Sequence, residues 1–93
     1  EIEGVGRRPF LVMTRSAAIP VLRSVLAAPV TRTIRDIPTE LRLDASDGMP
    51  TECAASFDNL RVVGKAYLTE RQCTLDPMRL TEACGAFRSA VDC

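Results

Sequence analysis

The stretch Asp76-Pro77-Met78-Arg79-Leu80-Thr81-Glu82-Ala83-Cys84-Gly85-Ala86-Phe87-Arg88-Ser89-Ala90-Val91 decides how the rest of this 93-residue chain is read. Asp76 is a good N-cap because its carboxylate can accept a first-turn amide, and Pro77 suits the first helical position, where no backbone donor is needed. Leu80, Ala83, Cys84, Phe87 and Val91 then recur at the spacing of one helix face, so this segment predicts a helix packed on something flat. Nothing upstream has that period. The apolar residues there come in short runs, which predicts strands.

Working back from the helix, Leu68 to Leu75, Arg61 to Val63 and Cys53 to Phe57 are strand candidates. Thr39-Glu40-Leu41-Arg42-Leu43 alternates with period two and predicts a half-buried strand. Asp44 to Pro50, with its Asp47-Gly48 pair, predicts a turn after it. Thr31 to Pro38 is polar and rich in Arg, hence a loop. Val21 to Val30 is apolar apart from Arg23 and Ser24, and Pro29 predicts that this strand stops near that residue, because proline cannot donate to a ladder. Phe10-Leu11-Val12-Met13 is a short buried strand, joined to the next by a connection over Ser16 to Pro20. Several short strands closed by one helix predict an α+β, mostly β domain: a small, strongly bent antiparallel sheet or barrel with a C-terminal helix packed on it.

Ninety-three residues hold one core and not two, so residues 1–93 are expected to form a single domain. Hydrophobic residues make up 46% and charged residues 26%, which argues against disorder and against a coiled coil. No apolar run approaches the roughly 20 residues that cross a bilayer, so a soluble, cytoplasmic protein without a membrane partner is expected. There is no His, which removes His-based catalytic triads and His-containing zinc sites together. Cys53, Cys73, Cys84 and Cys93 form no CxxC pair, so no metal and no cofactor is expected, and the thiols are expected to be buried or free rather than paired in disulfides.

The formal net charge is zero, but the charges are unevenly placed. Arg7, Arg8, Arg15, Arg23, Arg32 and Arg35 fall in residues 4–35, where there is no Asp or Glu. The later residues are acidic on balance. Arg presents a planar fork that matches phosphate, so a polyanion is a candidate partner for the first third of the chain; genome composition alone is the competing explanation.

Three quoted segments together resemble the MazF/PemK family of toxin endoribonucleases: Gly6-Arg7-Arg8-Pro9-Phe10-Leu11-Val12-Met13, then Ala28-Pro29-Val30-Thr31 with Pro38-Thr39-Glu40-Leu41, then Phe57-Asp58-Asn59-Leu60-Arg61-Val62-Val63-Gly64-Lys65. The helix after Asp76-Pro77 lies where that family's last helix lies. The resemblance implies a small SH3-like barrel, a homodimer, and a MazE-like antitoxin whose acidic, partly disordered segment covers the RNA groove. It also implies that the family's opening strand is missing or truncated here.

What the resemblance implies for chemistry is metal-independent, sequence-specific cleavage of single-stranded RNA to 2′,3′-cyclic phosphate and 5′-hydroxyl ends, which inhibits translation and growth. Matched by motif, the catalytic residues are Arg8 and Thr31, with Glu3 standing five residues before Arg8. Arg7, Arg32, Thr33 and Arg35 are candidates to track the RNA backbone, or only to keep their loops soluble. Asn59 and Arg61 are candidates to read bases, though Asn59 equally suits a turn cap. Two other readings stay open: a gyrase-poisoning toxin of the same fold without nuclease activity, and a non-catalytic SH3- or Sm-like binding module.

Overall fold

The computed structural model describes residues 2–5 and 8–92, and among these the side chains of 2–5, 69, 70 and 72 are not part of the description. Arg7, expected to contact RNA, and Cys93 therefore lie outside the described residues, as does the side chain of Glu3. Among the described residues seven strands and one α-helix follow in the order β1 (Ile2–Val5), β2 (Arg8–Val12), β3 (Ser24–Thr31), β4 (Glu40–Leu43), β5 (Cys53–Ser56), β6 (Arg61–Gly64), β7 (Leu68–Cys73) and α1 (Pro77–Ala90). Every pairing is antiparallel, and the sheet runs β4-β5-β3-β2-β1-β7 with β6 attached to β3. This is the mostly β architecture with a terminal helix that the sequence predicts. Among the described residues no ladder joins β4 to β7, so the sheet is not closed.

The eight-residue β3 organises the sheet. It pairs with β2 on one side, while on the other it pairs with β6 through Ser24–Ala27 and with β5 through Val30 and Thr31. The expectation that this strand stops around Pro29 is corrected: it continues to Thr31. Met13 donates its backbone N–H to Leu26 O at 2.8 Å, so alternate β3 residues bond to β2 and Pro29 faces the other way. There it stands between the end of the β6 register at Ala27 and the start of the β5 register at Val30, where the ladder asks for no donor. The proline thus marks the change of partner that bends the sheet. The strand also begins later than its apolar run suggests, because Ile19–Val21 forms a 3-10 turn around Pro20.

Period-two alternation sends the two faces of the sheet to different ends. Leu11 and Ala28 join the larger core with Val30, Leu41, Leu43, Met49, Cys53, Phe57 and the helix, whereas Phe10, Ala27 and Val63 form a smaller cluster on the other face. At the helix start Asp76 Oδ1 accepts from the Arg79 amide at 3.0 Å, with Pro77 in the first turn, as its sequence predicts. The expected apolar stripe is rotated, however. Ala83 and Ala86 are the buried helix residues, with Phe87 and Ala90 packed against the core, while Cys84 is exposed and Leu80 is 37% exposed. Two alanines let the helix sit close to the sheet, and the larger Leu80 is left at the rim. Arg79 then ties the helix to the turn after β4, bonding Asp47 at 2.9 Å and the Arg42 carbonyl. That turn is set by Asp44, which caps it, and by Gly48 at a φ of 92°.

Candidate active site

Arg8, Phe10 and Val12 share the face of β2 that points away from the helix. The β2–β3 register pairs Phe10 with Pro29. Continued by two residues, it sets Arg8 opposite Thr31. Ala27 pairs with Arg61 on the other side of β3, so Arg61 reaches the same face, and its guanidinium lies 5.9 Å from the centre of the Phe10 ring.

Arg8, Thr31 and Arg61 converge. Arg8, Thr31, Arg35, Asn59 and Arg61 line one depression of about 250 Å³, together with Pro29, Val30 and Ser56. Three guanidiniums, two hydroxyls and an amide border it, and among the described residues no Asp or Glu does. Arg8 is exposed and makes no hydrogen bond or ion pair with any described side chain, which leaves its fork available to an anion. Thr31 Oγ1 accepts from the Thr33 amide at 3.1 Å. One of its two lone pairs is thereby engaged, and the hydroxyl proton can be donated outward. Asn59 Nδ2 donates to the buried Ser56 Oγ at 2.9 Å, fixing the amide at the rim.

Of the residues the sequence singles out, Arg8, Thr31, Arg35, Asn59 and Arg61 are brought together. Arg32 and Thr33 are not: both are exposed in the loop beyond Thr31 and neither lines the depression. Glu3 lies in β1, where its backbone is in register with Phe10, two residues along β2 from Arg8. Ser56 and Glu40 escape a reading of the sequence. Ser56 ends a run of small residues with nothing to mark it. Glu40 looks like the solvent side of an alternating strand, yet its side chain is only 3% exposed. The alternation Thr39 to Leu43 was the available signal, and it pointed outward.

The geometry accords with the comparisons. A family model described as "PemK-like, MazF-like toxin of type II toxin-antitoxin system" matches residues 2–91. The chain belongs to this family. A curated MazF relative, "Probable endoribonuclease MazF5" of Mycobacterium tuberculosis, is 42% identical across the whole of this chain and 86% of its own length. Among solved MazF-type structures, one titled "Crystal structure of Mtb toxin" superposes with a TM-score of 0.92 at 27% identity, covering 98% of this chain and all of that one. Another, "Endoribonuclease in complex with its cognate antitoxin from Mycobacterial species", gives a TM-score of 0.80 at 25% identity over 96% of this chain and 86% of that one. In this MazF-like chain, then, the motif residues Arg8 and Thr31 occupy one concavity.

Proposed function

We propose that this chain is the toxin of a type II toxin–antitoxin pair and an endoribonuclease that cuts single-stranded RNA at short sequence motifs. The observation that carries the reading is the Arg-lined depression in which Arg8 faces Thr31. The substrate's own 2′-hydroxyl is the nucleophile, so the protein supplies neither a nucleophilic side chain nor a metal-bound water. Attack on the adjacent phosphorus builds charge on the phosphorane oxygens. A guanidinium held at that point stabilises it, and loss of one such donor in other enzymes costs about 3 to 4 kcal/mol.

Arg8 takes this role and protonates the leaving 5′-oxygen, while the Thr31 hydroxyl donates to a non-bridging oxygen and holds the scissile phosphate. Removal of the 2′-proton falls to Glu3, whose backbone stands beside β2 in the sheet, in register with Phe10. Arg35, Arg61 and Asn59 hold the flanking RNA, with Arg7, Arg32 and Thr33 contributing along the strand. The products are a 2′,3′-cyclic phosphate and a 5′-hydroxyl. The working form is a cytoplasmic homodimer, and an acidic, partly disordered antitoxin segment silences it by occupying the Arg-lined depression.

Incubation of the purified protein with a mixed-sequence single-stranded transcript in EDTA tests this. Fragments ending in cyclic phosphate, lost in Arg8→Ala and slowed in Glu3→Gln, are the expected result. Intact RNA together with stalled gyrase would replace the nuclease with a gyrase poison.

A further inference from the structure

The loop between β3 and β4 supplies one wall of the depression through Arg35, and a single carboxylate fixes that wall. Glu40, the first residue of β4, accepts from the Arg35 backbone amide at 2.9 Å through Oε1, and its Oε2 lies 3.7 Å from the Arg35 guanidinium. The two partners differ sharply in exposure: the Glu40 side chain is 3% exposed and that of Arg35 59%. Among the described residues Oε2 is buried with no hydrogen-bond partner. Burying a carboxylate with one oxygen unsatisfied is costly, so stability alone is a poor reason for it to be there. Glu40 is also in register with Ser56, the residue that fixes Asn59 at the same rim. Immediately after Arg35 the chain turns through Asp36 at a φ of 58°, an uncommon conformation outside glycine, so the backbone tether holds a tightly turned segment.

We propose that Glu40 is a positioning residue whose buried carboxylate holds Arg35, main chain and guanidinium together, in the wall of the RNA-binding depression. This rests on the reading of that depression as the RNA site. Anchoring the amide removes backbone freedom that RNA binding would otherwise have to quench, and attraction to Oε2 narrows the rotamers of a long side chain in the same way. The guanidinium stays exposed, so a phosphate can add to it while the Arg35 amide remains held from behind. Glu40 itself touches no substrate; it acts through Arg35.

Steady-state cleavage of one mixed-sequence single-stranded transcript, by the wild type, Glu40→Met, Arg35→Ala and the double variant, tests the coupling. Met keeps the buried volume while removing both oxygens. Because the Arg35 head is exposed, the change leaves no buried charge unpaired. Glu40→Met and Arg35→Ala are each expected to raise KM about tenfold, the scale of one charge-assisted hydrogen bond, with kcat within about twofold. The double variant is expected to match Arg35→Ala within about twofold, because the second change then removes nothing further. Glu40→Gln, which keeps an acceptor for the amide, is expected to stay within about threefold of the wild type.

An unchanged KM in Glu40→Met overturns the proposal. So does a further tenfold rise on top of Arg35→Ala, or a Glu40→Met chain that does not fold, since either would mean that the carboxylate serves the fold and not Arg35. A wild-type chain that leaves the transcript whole sinks the ribonuclease reading itself, a failure distinct from these.

Discussion

Truncating Arg8 to Ala separates chemistry from architecture more cleanly than any other change. The side chain is exposed, has no described hydrogen-bond or ion-pair partner, and stands at the start of β2. Its removal therefore leaves no buried group unsatisfied and opens no cavity, and the expected change in folding stability is within about 0.5 kcal/mol. The chemical cost is set by its place opposite Thr31 in a depression that, among the described residues, is lined by arginines and by no carboxylate. Loss of a donor aimed at the developing phosphorane charge predicts a fall in the single-turnover cleavage rate of about 10² to 10³. Arg8→Lys keeps the charge but not the fork, and is expected to recover only part of that loss. Rapid-quench cleavage of a saturating transcript gives the rate, and a urea melt on the same preparation gives the stability. Cleavage by Arg8→Ala within about threefold of the wild type would refute the assignment, as would a rate loss matched by a fall in stability.

Three further outcomes follow from the same structure. Thr31→Val is expected to slow cleavage about tenfold or more while Thr31→Ser stays near the wild type, because the hydroxyl that accepts from the Thr33 amide and donates to phosphate is retained in Ser; initial rates of the two variants settle it. Gly48→Ala is expected to cost roughly 1–3 kcal/mol in a urea melt, since its φ of 92° disfavours a side chain and the added Cβ would meet Cys73 Cβ at 2.8 Å. Burial, reinforced by Asp47, raises the pKa of the Cys53 and Cys73 thiols. A thiol whose folded pKa lies above its unfolded one contributes stability in full below the unfolded pKa, about 8.5, and loses it as the pH rises from there toward the folded pKa. Stability is therefore expected to fall on the alkaline side of about pH 8.5, and Cys53→Ala should flatten that slope in melts taken across the range.

Much of the fold can be read along the chain because its signals are local. Asp76 and Pro77 mark the helix start through the chemistry of one capping carboxylate and one missing donor, and Asp47-Gly48 marks a turn through a backbone angle only glycine adopts freely. Pro29 misleads because its rule concerns partners: a proline is excluded from a strand only where a neighbour needs its N–H, and β3 changes neighbours at that residue. The helix face misleads in part for a related reason: Ala83 and Phe87 face the core as their spacing predicts, but side-chain hydrophobicity also favours Leu80 and Cys84 where the sheet takes the small Ala86. At the site, Arg8, Thr31 and Arg61 are legible as short motif residues, and period two explains why they share a face. Glu40 and Ser56 are not legible, because their importance arises from a cross-strand register between segments with a turn between them.

Arg8 and Thr31 are expected to hold one phosphate between them. A crystal structure of the protein with a short single-stranded DNA, which lacks the attacking 2′-hydroxyl and so survives, tests this most directly. A phosphate within about 3 Å of both the Arg8 guanidinium and Thr31 Oγ1 is the expected result. A strand that crosses the molecule with no phosphate shared by these two groups would contradict it.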